Sequence, residues 1–360
     1  MLDELQTIAD ATRLEIPVAQ RLPIAIIGAG AIVDVAHLPA YARAGLQVAG
    51  IFDLDGARAA EVAARHGIPR VYASLDEVLA DTAVSVVDVA VVPEAQPEIV
   101  RRLLQAGRHV LAQKPLAPTL TGAQELAAQA ARCERRLVVN QQMRYGEGMA
   151  AARAMARAGW IGELTAVDFH VDIATDWSQW GWIVNSPDLD LRFHSIHYLD
   201  SIRALLGTPD RVFCAAGRRT GQLAAGETRT MTTLLYDDGA RVALHVNHEN
   251  LAGDPQARFR IDGSRGAIRG TIGLLYDYPH GRPDTVEVFS QTLPTDGWLP
   301  YPVTTRWIPD AFAGPMAALL RAIATGERAP TDAEDNLGTL ALLEALYASI
   351  ATGAAQSPAT

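Results

Sequence analysis

The 360-residue chain has two cysteines, Cys133 and Cys214, too far apart to suggest a disulfide framework or a metal knot. A disulfide-stapled secreted domain and a zinc ribbon are thereby excluded. No apolar run approaches the roughly 20 residues of a membrane span. The opening MLDELQTIAD lacks the basic and apolar regions of a secretory signal, so a reduced, cytoplasmic protein is expected. Positive charge is also short. The formal net charge is −10, with no basic stripe to release counterions from a polyanion, so neither nucleic acid nor an anionic membrane is expected as a partner. What remains is a soluble globular protein acting on small molecules, long enough for two domains with separate cores.

Residues 1–21 read as an extension that packs on a neighbour. Leu2, Leu5, Ile8 and Ala9 fall at helical spacing ahead of Pro17. From residue 22 to about 145, short apolar runs alternate with helical stretches: IAIIG, LQVAGIF, VSVVDVAVV, HVLAQ and RLVVN. That alternation implies βαβ units and a doubly wound parallel sheet buried on both faces, with HVLAQ as its fifth strand. Beyond GWIGELTAVDFHVDI the pattern becomes apolar-polar alternation with Gly-containing turns, as in TRTMTTLLY and ARVALHVNHEN. Residues 146–352 are therefore expected to form an α+β domain with an open, mainly antiparallel sheet. SIHYLDSIRALLG supplies a helix across that sheet, two more helices follow from about residue 310, and residues 353–360 form a frayed tail.

IAIIGAGAIV places Gly28 and Gly30 between a strand and a helix, followed by Ala31 and Ile32. That context suits a dinucleotide: the first glycine allows the tight turn, the second the approach of a pyrophosphate, and the helix start supplies amide donors. Val33 stands where a third glycine or alanine would complete the fingerprint. Asp53, after the second strand, is placed to accept from both ribose hydroxyls and to repel a 2′-phosphate, so NAD is expected over NADP. A glycine turn beside an exposed aspartate is the plainer alternative.

Two stretches offer proton chemistry. Lys114 in HVLAQKPLAP emerges at the C-terminal end of a strand, where open α/β folds bind ligands, and Pro115 restricts the backbone. Desolvation there would lower its pKa and make it a proton donor or relay; a solvated strand-end lysine is the alternative. RFHSIHYLD puts His194, His197 and Asp200 three residues apart on one helical face. Two histidines and an aspartate over two turns make a poor complete ligand set, so no metal is expected. A histidine accepting a hydroxyl proton fits better, against the alternative of a hydrogen-bonded packing residue.

Taken together, IGAGAI, IFDLD, AGRHVLAQKPL, RLVVNQQMRY and HYLDSIRALLG resemble the glucose-fructose oxidoreductase / inositol dehydrogenase / rhizopine-catabolism (Gfo/Idh/MocA) family over about residues 22–350. The resemblance implies a Rossmann domain followed by an open-sheet α/β domain and NAD(P)-dependent chemistry on ring hydroxyls or carbonyls of sugars and cyclitols. It also implies a homodimer or homotetramer associating through the open sheet. Residue by residue, the family's Glu-Lys-Pro becomes Gln113-Lys114-Pro115, His197 matches its helical histidine, and Asn140 matches a position near the nicotinamide; Pro93 is expected to line the cofactor. The aspartate usual four residues before the histidine is here Phe193, so either His194 or a residue from another strand must help, or the chemistry is altered. The segment before it, with Trp177, Trp180 and Trp182 beside His170, Asp172 and Asp176, reads as a carbohydrate wall or else as a tryptophan-rich loop filling a domain or subunit interface, and Arg192 as a clamp for an acidic sugar or else an ordinary surface charge.

The expected function is an NAD-dependent oxidoreductase of a sugar, sugar acid or cyclitol, with Lys114 and His197 moving the proton. NAD-dependent glycoside cleavage through transient oxidation and elimination is the second possibility, and a non-catalytic NAD-binding sensor or subunit the third.

Overall fold

The computed structural model describes residues 2–13, 15–278, 280–294 and 296–359. The chain divides into two units, residues 14–142 with 308–337, and residues 1–13 with 143–307 and 338–360.

The first unit is built on a parallel sheet of β1 (Ile24–Ile27), β2 (Val48–Phe52), β3 (Val86–Val89), β4 (His109–Ala112) and β5 (Leu137–Val139), in the order β2-β1-β3-β4-β5. Every residue of β1, β3 and β5 is buried, because helices cover both faces of a parallel sheet. HVLAQ thus forms the fourth strand, not the expected fifth. Among the described residues the one further pairing before it, the isolated bridge between Ile51 and Val71, does not extend into a strand. The helix Ala313–Thr325 packs its Met316, Leu319 and Leu320 side within this unit, against β4 and β5. The domain boundary expected from the sequence differs here, since helical periodicity gives no indication of which sheet a helix covers.

The second unit carries β6 (Leu164–Asp172), β7 (Arg211–Gly217), β8 (Arg229–Leu235), β9 (Arg241–Asn247), β10 (Gln256–Gly263), β11 (Gly266–Thr271), β12 (Thr285–Ser290) and β13 (Leu299–Tyr301). Their order is β13-β12-β11-β10-β6-β9-β8-β7, antiparallel except for the parallel pair β6–β9. Strict alternation sends Val167, Phe169, Val171, Val242, Leu244 and Val246 to the covered face, where Phe169 packs at a tilt against Tyr198 of the helix Ile196–Leu206, 5.4 Å between ring centroids. Residues between them point the other way. The N-terminal helix, Leu2–Thr12, packs on Glu147–Arg157 of this unit through residues that include the buried Ile8; the side chain of Leu2 lies outside the described residues. The tail is not frayed as expected, because Gln356 exchanges backbone hydrogen bonds with Val212 at the edge strand β7.

Candidate active site

In the parallel-sheet unit the chain leaves β1 at Gly28, whose φ of +106° and the 2.2 Å that would separate a Cβ from the Ala90 carbonyl oxygen restrict the position to glycine. Ala31 and Ile32 begin the helix that follows. A Cβ on Gly30 would meet nothing within 4 Å, so the space over the loop is open, as a bound pyrophosphate requires. Asp53 is held at the end of β2 by two backbone amides, Ala29 N–H to Oδ2 at 2.6 Å and Asp55 N–H to Oδ1 at 2.9 Å. Arg58 is pinned by its Nε to the Ala29 carbonyl at 2.6 Å. Pro93 is buried in the turn after β3.

Behind this loop lies a buried network that sequence reading missed. The helix passes through a widened π turn at Val33–His37, and His37 and Asp88 are fully buried. Asp88 Oδ2 accepts from Tyr41 OH at 2.7 Å and faces His37 Nδ1 at 2.7 Å. Burial first, then the neighbouring carboxylate, pushes the Tyr41 phenol well above its ordinary pKa, which keeps it a donor. With Nδ1–H directed at Asp88, His37 Nε2 accepts from the Gln113 amide at 3.1 Å and from Asn140 at the longer 3.4 Å. Gln113 Oε1 in turn accepts the Lys114 backbone N–H at 2.9 Å. Gln96, also buried, donates from Nε2 to the carbonyls of Gln113, Pro115 and Leu116 and accepts the Gln113 N–H. Residues 113–116 are thus gripped by two glutamines.

Lys114 is half-buried, and the peptide bond to Pro115 is cis. Burial lowers its ammonium from the usual 10.5 to about 8. It is also the only lysine in the 360 residues, the other 30 strongly basic side chains all being arginine. That count is visible without a structure and favours a chemical role over a solvated strand end. Asn140 is buried, and its Oδ1 has no hydrogen-bond partner among the described residues, leaving an acceptor for a ligand amide.

In the open-sheet unit, residues Asp190–Ser195 form a second π turn, which continues into the helix Ile196–Leu206. Asp190, fully buried, lies 3.0 Å from His248 Nε2 and 3.4 Å from His194 Nδ1 through Oδ1, and accepts from the hydroxyls of Ser195 and Thr230. Desolvation alone would raise its pKa, but hydrogen bonds from His194 and His248 outweigh that and hold it well below the usual carboxylate range. His197, nearly buried, meets Trp307 edge-on at 5.3 Å between centroids. Asp200 is not part of this cluster: it takes a bidentate ion pair from Arg144 and a hydroxyl from Thr339.

The remaining expected substrate residues divide. Trp177 is buried with Ile183, Leu189 and Ala224, with Trp180 and Phe193 packed against the cluster. Its ring also meets His248 at 4.8 Å. Phe193 meets the half-exposed Trp182 edge-on at 5.2 Å, so an apolar contact occupies the position where the resemblance led one to expect a carboxylate. Arg192 pairs with Asp188 and lies over Tyr347. Glu227, which no motif singled out, accepts from the Leu189 and Leu191 amides and Tyr347 OH and so shapes the π turn. His170 and Asp172 alternate with the covered-face residues of β6 and pair with His245 and Asn247 of β9. They lie on the sheet face opposite the helix bearing His197, so the structure does not bring them together with it.

Comparison with known proteins agrees with this architecture. Residues 22–141 match the oxidoreductase family described by its NAD-binding Rossmann fold, and residues 149–269 match the Gfo/Idh/MocA C-terminal domain. A D-xylose 1-dehydrogenase (NADP(+)) of Haloferax volcanii is 28% identical over 92% of this chain and 98% of its own length. A D-apiose dehydrogenase of Paraburkholderia graminis is 26% identical over 86% of this chain and 82% of its own. An oxidoreductase from Agrobacterium radiobacter, solved with NAD+, L-tartaric acid and magnesium, shares the fold at a TM-score of 0.82 and 23% identity, covering 94% of this chain and 98% of that one. With both of its domains matched in order over two-thirds of its length, the chain belongs to the Gfo/Idh/MocA family of NAD(P)-binding oxidoreductases.

Proposed function

We propose that the protein is an NAD-dependent dehydrogenase or reductase of a sugar, sugar acid or cyclitol. The observation that supports this most is Lys114, the sole lysine, at a strand end with burial lowering its pKa to about 8. The relatives named for D-xylose and D-apiose point to the same substrate class.

The nicotinamide, when bound, exchanges a hydride with the substrate carbon. Gly28, Gly30, Ala31 and Ile32 would hold the pyrophosphate, Asp53 the ribose hydroxyls, and Pro93, Gln113 and Asn140 the nicotinamide end. Asp53 favours NAD, because a 2′-phosphate would face a carboxylate already fixed by two amides. Lys114, with its backbone fixed by Gln113 and Gln96, presents its ammonium to the substrate oxygen. His197 is read as the acceptor of the hydroxyl proton in the oxidative direction, and burial, which lowers the Lys114 ammonium to about 8, suits that group to exchanging a proton with the substrate oxygen.

A screen of aldoses, aldonic acids, cyclitols and glycosides with NAD tests this, following reduced nicotinamide and products by mass spectrometry. Reduced cofactor forming with one substrate class, and lost in both Lys114→Ala and His197→Ala, supports the reading. Near-normal turnover in both variants overturns it. Phe193 favours one rival, glycoside cleavage through transient oxidation, whose signature is released aglycone without net reduced cofactor.

A further inference from the structure

Among the described residues, one group of three metal-capable side chains brings its donor atoms within 4.8 Å of one another: Asp190, His194 and His248. We propose that it binds a single divalent transition-metal ion of the zinc type through Asp190 Oδ1, His194 Nδ1 and His248 Nε2, with a fourth position for water or another small ligand. The proposal goes beyond the hydride-transfer reading and does not depend on it.

Spacing supports it first. Metal bonds of about 2.0–2.2 Å at tetrahedral angles set neighbouring ligand atoms about 3.3–3.6 Å apart. Asp190 Oδ1 lies 3.0 Å from His248 Nε2 and 3.4 Å from His194 Nδ1, so little adjustment separates the cluster from a coordination shell.

The second support is the outer layer. A ligating imidazole needs its far nitrogen fixed, and a ligating carboxylate its second oxygen. Thr175 Oγ1 lies 2.8 Å from His248 Nδ1, Tyr198 OH lies 3.2 Å from His194 Nε2, and the hydroxyls of Ser195 and Thr230 donate to Asp190 Oδ2. All three ligands therefore have an oriented far atom. Trp177 packs on His248, and its buried Nε1 has no hydrogen-bond partner among the described residues, a donor suited to a ligand water. The side chains of Asp190 and His248 are wholly buried while that of His194 is 19% exposed, so the open position lies on the His194 side.

Without an ion, His248 Nε2 is within hydrogen-bond distance of Asp190 Oδ1, and His194 Nδ1 stands 3.4 Å from the same oxygen. With one, those nitrogens give lone pairs and the far nitrogens carry the protons. Untagged protein, stripped with chelator, would be titrated with Co²⁺ alone while visible absorbance is followed. The expected result is a d–d band that saturates at one equivalent and is abolished by excess Zn²⁺. His194→Gln and His248→Gln, checked for folding by circular dichroism, should lose it. Thr175→Val keeps all three ligands and should weaken binding about 10–100-fold. No saturable band in the wild type, or a band unchanged in His194→Gln and Thr175→Val, overturns the site.

Discussion

The two units use the same pair of chemical groups in opposite ways. In the parallel-sheet unit, His37 on a π turn and Asp88 on β3 are buried together, with amides on the far side of the imidazole: His37 Nε2 faces Gln113 and Asn140, and Asp88 also holds Tyr41. In the open-sheet unit, Asp190 also sits on a π turn, but it faces two imidazoles, one of them partly open to solvent. The first pair is built to hold still. Its output is the position of the Lys114 backbone, passed on through Gln113. The second concentrates nitrogen and oxygen lone pairs at one point, which suits coordination or proton exchange. A buried carboxylate–imidazole pair therefore has no fixed meaning; the groups around it decide whether it is a strut or a reactive centre.

The largest expected effect tests the strut. Asp88→Ala strands His37 and Tyr41 without their carboxylate and should cost about 3–5 kcal/mol in urea unfolding. Asp190→Ala should cost a similar amount in metal-free protein, but Asp190→Asn should recover most of that loss while failing to bind Co²⁺. If Asp88→Ala were as stable as wild type, the closed-network account would fail. Next, Lys114→Ala and His197→Ala should each lower turnover about 10²-fold or more with the fold intact, whereas Gln113→Ala should act through Lys114 placement. Retained turnover in Gln113→Ala would detach the strut from the chemistry. Smaller still, Asp53→Asn should narrow the preference for NAD over NADP by roughly 10-fold in binding titrations, the scale of a charged hydrogen bond.

The finest test is the titration of Lys114. Protein labelled with ¹³C-lysine has one lysine to observe, and its side-chain signal should titrate near pH 8, against 10.5 in the unfolded chain. A folded pKa below the unfolded one means that the unfolded state binds more protons between those values. Stability should therefore rise with pH from about 8 to 10.5, and Lys114→Met should abolish that increment. A signal titrating near 10.5 would return Lys114 to a solvated strand end.

The two sheets were readable because period is local: buried runs such as IAIIG differ from the alternation of ARVALHVNHEN without any knowledge of contacts. Gly28, Gly30 and Asp53 were readable because a short spacing fixes their geometry. His37, Gln96 and Asp88 were not, because 51 residues separate His37 from its carboxylate and 17 separate Gln96 from Gln113. The triad was missed for a related reason. His194 was read against its helical neighbours His197 and Asp200, yet the π turn directs it toward Asp190, and His248 reaches the same carboxylate from 58 residues away. His170 and Asp172 pose the converse question. They share a strand with covered-face residues, and period alone does not show which face holds the site.

With 30 of its 31 strongly basic side chains guanidinium, the chain offers reagents a single side-chain amine. Coupling chemistry routinely used to attach dyes, biotin or solid supports through lysine has one side-chain target here, and that target is the residue read as catalytic. Beyond the α-amino group, amine coupling would fall on Lys114 alone, and on the proposed role it should cost activity and be slowed by a ligand that covers Lys114. A harmless handle would have to be introduced, for instance by converting an exposed arginine such as Arg229 to lysine.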